Sequence, residues 1–307
     1  MVDLSVIIPS HRAPRLLQQA LRSLADDVAQ LTVEVIVVDD GSPDYDANDL
    51  AGLSGRWPLT LIHFEQNQGR AAARNEGLRH ARGETVVFLD GDMTVGAGFL
   101  AAHAAFHRQH PRAIAVGDIR FAPDIRVDAM TRYIHSRGVA RYEAGPVPFK
   151  CFVTGNSSVP RQALLDTDGF DEAFVTYGGE DLELGYRLHN DGLEVHYLPE
   201  AASLHHEVRP FAQMGDAMFA YGRDTVPLIL ERHPELAQLL RLDFLQKPRW
   251  NLRRWTLTIA LWSPVLAFVH GVVVLLMRWR LPGILFDYLW WCRRTRGFMS
   301  RSASEAR

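Results

Sequence analysis

The sequence predicts an α/β protein with a mostly parallel sheet, because short apolar runs end in polar loops, helical patterns lie between those runs, and acids cluster where the runs end. Leu4-Ser5-Val6-Ile7-Ile8 runs into Pro9-Ser10-His11-Arg12, and Val33-Glu34-Val35-Ile36-Val37-Val38 runs into Asp39-Asp40-Gly41-Ser42. Thr85-Val86-Val87-Phe88-Leu89 runs into Asp90-Gly91-Asp92. Apolar runs of this length bounded by turn residues read as buried strands. Between them Leu16, Leu17, Ala20, Leu21 and Leu24 keep helical spacing, as do the Ala and Leu positions of 70 to 82. In open α/β sheets ligands sit outside the carboxyl ends of the strands, so the polar loops are expected to line one crevice. Residues 44 to 58 and 144 to 148 read as connections.

The acids and cations at those ends each admit a chemical reading. An extended backbone repeats every two residues, so Asp90 and Asp92 are expected to point to the same side. Two carboxylates in one small volume repel unless protons or a divalent cation neutralise them, and hard oxygen ligands suit Mg²⁺ or Mn²⁺ carrying substrate phosphates. A polar turn after a strand accounts for the same triplet. Asp39 could accept from a base N–H or a ribose hydroxyl, or could cap the turn through Gly41 and Ser42. Arg70 and Arg74 stand one helical turn apart, beside Asn75 and just after Asn67-Gln68-Gly69. Guanidinium groups at a helix start suit phosphate or ribose oxygens; a solvated charged face is the alternative. Asp181 precedes a helical pattern that stops near Asn190-Asp191-Gly192, where a helix N-terminus favours the ionised carboxylate, a form able to accept a proton and also a capping one.

The ordered segments Pro-Ser-His-Arg, Val-Asp-Asp-Gly-Ser, residues 67 to 77 and Leu-Asp-Gly-Asp resemble family 2 glycosyltransferases of the Rossmann-like GT-A fold. The likeness continues through Thr154-Gly155-Asn156, Gly178-Gly179-Glu180-Asp181 and Leu204-His205-His206 to about residue 210. The resemblance implies a metal-dependent inverting transfer of a sugar from a nucleotide-diphosphate sugar to a glycan or lipid-linked acceptor, in cell-envelope or exopolysaccharide synthesis. It implies that Pro9, Ser10, His11 and Asp39 line the nucleotide pocket, and that Arg70, Arg74, Asn75, Gly91 and Asn156 contact the donor. In the metal site it implies Asp92 as the direct ligand of Mn²⁺ or Mg²⁺, Asp90 at ribose or a bridging water as well as at the metal, and His205 ahead of His206 as the later ligand. Asp181 would be the general base, with Glu180 orienting acceptor or donor sugar.

Composition divides the chain. Residues 247 to 307 hold eleven Lys and Arg against two acids, while the whole chain has a formal charge of −3, so residues 1 to 246 are strongly acidic. The division expected is a catalytic domain over 1–246 and an apolar, basic, helical, membrane-associated extension over 247–307. Trp255 to Met277 carries no Asp, Glu, Lys or Arg, is interrupted by Pro264 and His270, and has about the length of ~20 residues that crosses a bilayer. Lys247, Arg249, Arg253 and Arg254 precede it and Arg278 and Arg280 follow, so charge leaves the topology open. The Trp-rich run Leu281 to Cys292 reads as interfacial or re-entrant, and a buried pair of helices is the alternative for the tail. An anionic membrane surface is expected as partner, nucleic acid is not, and the catalytic domain is expected on the cytoplasmic side.

Other chemistries fit less well. The only lysines, Lys150 and Lys247, precede Cys and Pro, which excludes a P-loop, and no G-x-G-x-x-G follows the first strand. His206-Glu207 ends in Val-Arg-Pro, so the zinc-protease pattern fails. A sugar nucleotidyltransferase would carry a Gly-rich first loop, and Pro9 to Arg15 has no Gly. A membrane-anchored binding protein on a degenerate transferase domain is the non-enzyme alternative, and the acids at 39, 90, 92 and 181 speak against it. Cys151 and Cys292 offer neither a disulfide framework nor a zinc site.

Overall fold

The structure, a computed structural model, describes residues 2–27, 30–246, 248 and 251–305. Lys247 and Arg249, two of the cations flanking the apolar tail, lie outside the described residues. The chain forms two compact units, the first of Met1–Ile125, His135–Val175 and Glu180–Val208, the second of Arg126–Ile134, Thr176–Gly179 and Arg209–Arg307.

Nine strands are found among the described residues: β1 (Leu4–Ser10), β2 (Val33–Asp39), β3 (Leu59–His63), β4 (Thr85–Leu89), β5 (Met93–Val95), β6 (Ala113–Phe121), β7 (Gly145–Val147), β8 (Asn156–Pro160) and β9 (Glu194–His205). They form one sheet of order β3-β2-β1-β4-β8-β6-β9-β5, with β7 added on β9. The runs read as strands are strands, and the stretch read as a loop at 144 to 148 contains the short strand β7. The sheet is mixed where a mostly parallel one was expected. β1, β2, β3 and β4 are mutually parallel, but β8 runs antiparallel to both β4 and β6. Its direction has a consequence for the site: Asn156, the first residue of β8, pairs with Leu89, the last of β4, so Thr154 and Gly155 arrive beside Asp90.

Successive strand residues point to opposite faces, and each face has its own helices. On one side Leu4, Val6, Ile8, Val35, Val37, Val87 and Leu89 pack with Leu17, Leu21 and Leu24 of α1 (Pro14–Ala25). On the other Ile7, Ile36, Val38, Val86 and Phe88 pack with Ala71, Ala73 and Leu78 of α2 (Arg70–His80). The first face also takes Phe99 and Leu100 of α3 (Phe99–Gln109), whose first turn is held by the Asp27 carboxylate accepting from Gly98 N and Leu100 N. Following α4 (Ala129–Arg137) and α5 (Arg161–Asp166), the second face is completed by Leu184 and Leu188 of α6 (Glu180–Asn190).

The second unit is helical, with α7 (Phe211–Ala220), α8 (Val226–Arg232), α9 (Leu252–Ala260), α10 (Ser263–Leu275) and α11 (Gly283–Glu305). No single helix among the described residues is long and apolar enough to cross a membrane; α9 and α10 together have the length and composition, but they are bent by 53° at their junction. The run Leu281 to Cys292, read as interfacial, opens α11, and its Phe286, Leu289 and Cys292 are buried. The helical period turns one apolar side of α11 inward and leaves Ile284 exposed on another.

Candidate active site

The end of β4 and the start of α6 meet on one buried cation. Arg74, on the second turn of α2, is 1% exposed and lies 5.6 Å above the Phe170 ring. Its Nη2 donates to Asp90 Oδ1 at 3.1 Å and its Nη1 to Glu180 Oε1 at 3.2 Å, with Asp181 Oδ1 at 3.9 Å. The sequence reads Arg74 as a phosphate or ribose contact or as part of a solvated face; its guanidinium is engaged by the carboxylates of Asp90, just past β4, and of Glu180 on α6. Arg70, one turn earlier, is exposed at the helix start. The Asp181 side chain is 25% exposed and accepts from Thr154 Oγ1 at 2.8 Å. Burial and the neighbouring Glu180 charge raise its pKa to about 6, against the lowering pull of Arg74 and Thr154. Glu180 Oε2 is buried without a hydrogen-bond partner.

Asp90 and Asp92 take different partners. The chain turns tightly after β4, Met93 N donating to Asp90 O at 3.1 Å, and while Asp90 accepts from Arg74, its charge also acts on His205. Asp92 Oδ2 meets His205 Nε2 at 3.0 Å. Antiparallel pairing of β5 with β9 places His205 opposite Met93, while His206 turns to Thr94 Oγ1 at 2.8 Å. Burial works against ionisation of Asp92, but the His205 hydrogen bond and charge and the Arg70 charge outweigh it and hold the carboxyl low. Gly91 fits closely against the end of β1, where a Cβ would stand 3.2 Å from Pro9 O.

A divalent cation is compatible with this corner. Asp92 Oδ1 is buried with no hydrogen-bond partner, beside an imidazole nitrogen on the other oxygen. Among the described residues no group of three or more His, Cys, Asp or Glu side chains forms a metal cage. The pair suits a cation that takes one or two protein ligands and fills its remaining positions with substrate phosphate oxygens and water.

The nucleotide-side residues are tied into the turn after β2. Asp39 is 2% exposed, accepts from Ser42 N at 2.8 Å and Ser42 Oγ at 2.6 Å, and meets His63 Nδ1 at 2.9 Å. Tyr45 stacks on His63 with ring centroids 4.5 Å apart. Ser10, Asp39, Ser42 and Tyr45 border a small cavity. His11 Nδ1 meets Asp40 O at 2.7 Å, Pro9 is half-buried, and the Asp40 carboxylate accepts from Gln68 N and Gly69 N, fixing the entry to α2.

Two residues expected at the donor are hydrogen-bonded within the protein. Asn75 accepts from Phe170 N at 2.8 Å and donates to Phe170 O at 2.8 Å and Glu172 Oε1 at 2.9 Å, so its amide clamps a loop. Asn156 is fully buried and donates to Ala201 O at 2.8 Å and Ser203 Oγ at 3.0 Å, with His103 Nε2 at 3.2 Å from its Oδ1. It satisfies the bulge in β9 that shifts the β6–β9 register at Gly117 and Asp118. His103 also meets Ser158 Oγ at 2.8 Å, and burial pushes its pKa down to about 3. Thr154, His63, Tyr45 and His103 had no assigned role in the sequence reading. The signal for Thr154 was its place just before Gly155-Asn156; the other three are brought in by the fold.

A mixed sheet of this order, with acids gathered at the carboxyl ends of its parallel strands, defines a GT-A-like α/β protein. The mannosyltransferase PcManGT from Pyrobaculum calidifontis, solved with GDP-Man and Mn²⁺, superposes with a TM-score of 0.61 at 18% identity, over 99% of this chain and 86% of that one, a likeness of fold. Residues 5–166 match Glycosyl transferase family 2, and residues 136–209 match the N-terminal domain of galactosyltransferase. The chain belongs to glycosyl transferase family 2. It is 29% identical over 252 residues to the uncharacterized glycosyltransferase YfnE of Bacillus subtilis (strain 168), covering 66% of this chain and 64% of that protein. It is 29% identical over 270 residues to the validoxylamine A glucosyltransferase of Streptomyces hygroscopicus subsp. jinggangensis (strain 5008), covering 76% of this chain and 61% of that protein. The chain spans less than two thirds of the length of these curated relatives.

Proposed function

We propose that this chain is a metal-dependent inverting glycosyltransferase that moves a sugar from a nucleotide-diphosphate donor to an acceptor hydroxyl. The observation that carries the reading is the Asp181 carboxylate, held by Thr154 yet open to solvent, across one guanidinium from Asp90. Asp181 takes the proton of the acceptor hydroxyl as its oxygen attacks the anomeric carbon opposite the leaving diphosphate. The bond from that carbon to the phosphate oxygen breaks, and the configuration inverts. Arg74, 3.9 Å from Asp181 Oδ1, steadies the base, and Glu180 orients acceptor or donor sugar. Asp39, with Pro9, Ser10 and His11, receives the nucleotide base; Asp90 faces the ribose, and Arg70 the phosphates. Asp92 and His205 would hold Mn²⁺ or Mg²⁺. When bound, such a cation supplies Lewis-acid neutralisation of the departing diphosphate. The GDP-Man and Mn²⁺ bound by the mannosyltransferase of like fold support this choice of donor and metal.

A glycan or lipid-linked acceptor of the cell envelope belongs to the same reading, since an enzyme held at a surface by its apolar, basic tail meets such acceptors in two dimensions. The free Cys151 and Cys292 are consistent with a catalytic unit in the reducing cytoplasm. A panel of nucleotide sugars with Mn²⁺ tests the function. A donor is expected to raise the melting temperature only in the presence of metal, because a ligand specific to the native state stabilises it. No shift with any donor, together with no metal-dependent transfer or hydrolysis, defeats the reading.

A further inference from the structure

Helices α9 and α10 carry apolar side chains on their outer faces. Leu252, Trp255, Ile259 and Trp262 recur at helical spacing and are 72%, 58%, 44% and 63% exposed. On α10 and just beyond it Phe268, Val274, Leu275 and Trp279 are likewise exposed, by between 51% and 80%. A helix facing water presents its polar side outward, and a contiguous apolar patch marks an interaction surface. The sequence from Phe244 to Phe286 contains no Asp or Glu, while it carries Lys247, Arg249, Arg253, Arg254, Arg278 and Arg280.

We propose that this face docks on an anionic lipid bilayer and lies in its interface without crossing it. The inner side of the helices argues against a span. Tyr288 Oη donates to Ala260 O at 2.6 Å and Arg296 Nη2 to Ser263 Oγ at 2.9 Å, both at the bend. Further along, Arg132 Nη2 donates to Trp279 O at 2.9 Å. A spanning arrangement would carry the Arg296 guanidinium, and the backbone groups exposed by the break between α9 and α10, into the middle of the hydrocarbon, where both are costly. The longer helix, α10, has 13 residues. At a rise of ~1.5 Å per residue it reaches about 20 Å, short of the roughly 30 Å hydrocarbon core.

Lying flat resolves both demands, with the inner face on protein and the outer face in lipid. Trp255, Trp262 and Trp279 supply amphipathic rings of the type favoured at headgroup level, and the exposed Arg278 and Arg280 meet anionic headgroups. Beside the bend, a groove of about 890 Å³ bordered by Trp255, Ile259, Trp262 and Met299 has room for an acyl chain. A second copy apposing this same face would cover the apolar surface but would set its positive charge against itself. The inference does not depend on the transferase reading, and its assay needs no nucleotide sugar.

The test floats the full-length protein with vesicles of phosphatidylcholine and phosphatidylglycerol in equal parts, and with phosphatidylcholine alone. Binding to the anionic vesicles is expected to be tighter by on the order of tenfold, to weaken with salt, and to be released by alkaline carbonate. The combined variant Trp255→Gln, Ile259→Gln and Trp262→Gln is expected to lose vesicle affinity by at least about tenfold, with its circular dichroism melt preserved because these side chains are exposed. Should that variant unfold, Phe268→Gln with Leu275→Gln asks the same question on α10. Absence of flotation with anionic vesicles overturns the proposal, as does undiminished binding by the folded variants. Retention after carbonate marks a span and overturns the interfacial placement. A dimer in sizing experiments without lipid, lost in the variant and unaccompanied by vesicle binding, identifies a second copy as the occupant instead.

Discussion

Arg74 and Glu180 meet at 3.2 Å with both side chains withdrawn from solvent, although they stand 106 positions apart in the chain. The same guanidinium reaches Asp90 at 3.1 Å, so one side chain joins the end of β4 to the start of α6. Removing it strands buried carboxylates. Arg74→Met is expected to destabilise the fold by about 3–5 kcal/mol, the usual cost of breaking a buried ion pair from one side. Arg74→Lys recovers only part of that, because a point charge cannot serve two carboxylates with a planar fork. Urea denaturation checks both, and a wild-type midpoint for the methionine variant would rule out the cross-link.

Asp181→Asn keeps the shape and much of the hydrogen bonding to Thr154 but cannot take up a proton. Transfer is expected to fall by about 10²–10⁴-fold, the range of general-base contributions, while donor binding measured by thermal shift stays near wild type. Unchanged turnover would remove Asp181 from the chemistry.

The raised Asp181 pKa of about 6 sets the acid side of the rate profile. The base acts only when ionised, so kcat/KM is expected to fall as pH drops through about 6. Stability runs the other way for this group. Between the ordinary 3.8 and about 6 the folded protein binds a proton that the unfolded chain does not, so its contribution favours folding as pH falls across that window. An acid limb near 4, the value of an unperturbed carboxyl, would show that another group limits the rate.

Asp92→Asn and His205→Ala address the metal corner separately. Each is expected to weaken Mn²⁺-dependent donor binding by more than the ~10–100-fold typical of residues behind the ligands. His206→Ala, which loses only the contact with Thr94, is expected to leave that binding close to wild type. Calorimetric titration of Mn²⁺ in the presence of a nucleotide diphosphate distinguishes the three.

Gly117→Ala probes the support behind the site. A Cβ there would stand 2.2 Å from Ala201 O and 2.4 Å from the Asn156 amide, and backbone cannot give way as a flexible side-chain tip does. A loss of about 1–3 kcal/mol is expected from overpacking, read as a lower melting temperature. A neutral substitution would show that β6 and β9 part easily.

The sequence made β1, β2 and β4 legible, because they are short Val- and Ile-rich runs closed by turn residues, but not β3, which is parallel to β2 and has no such run. The direction of β8 was not legible: no local pattern encodes it, since it depends on where the chain returns after residues 122 to 155. Helical spacing put Arg70 and Arg74 on one face, yet one is exposed and the other buried. Partners that lie 16 and 106 positions from Arg74 decide the difference. The family resemblance, and no chemistry of their own, places Asn75 and Asn156 at the donor. Their actual partners, 95 and 45 positions away, had no signature in the adjoining sequence. The choice between His205 and His206 as the partner of Asp92 is made by the pairing of β5 with β9.

That pairing turns β9 into a ruler. His205 reaches Asp92 only because of the count of residues from the bulge, where Asn156 grips Ala201 and Ser203, to the pairing with Met93. Adding or deleting one residue between Ala202 and His205 would bring Leu204 or His206 to that place and turn the imidazole to the opposite face of the strand. Length changes can therefore accumulate in the connections of this chain, while the end of β9 admits neither insertion nor deletion without moving the imidazole off Asp92.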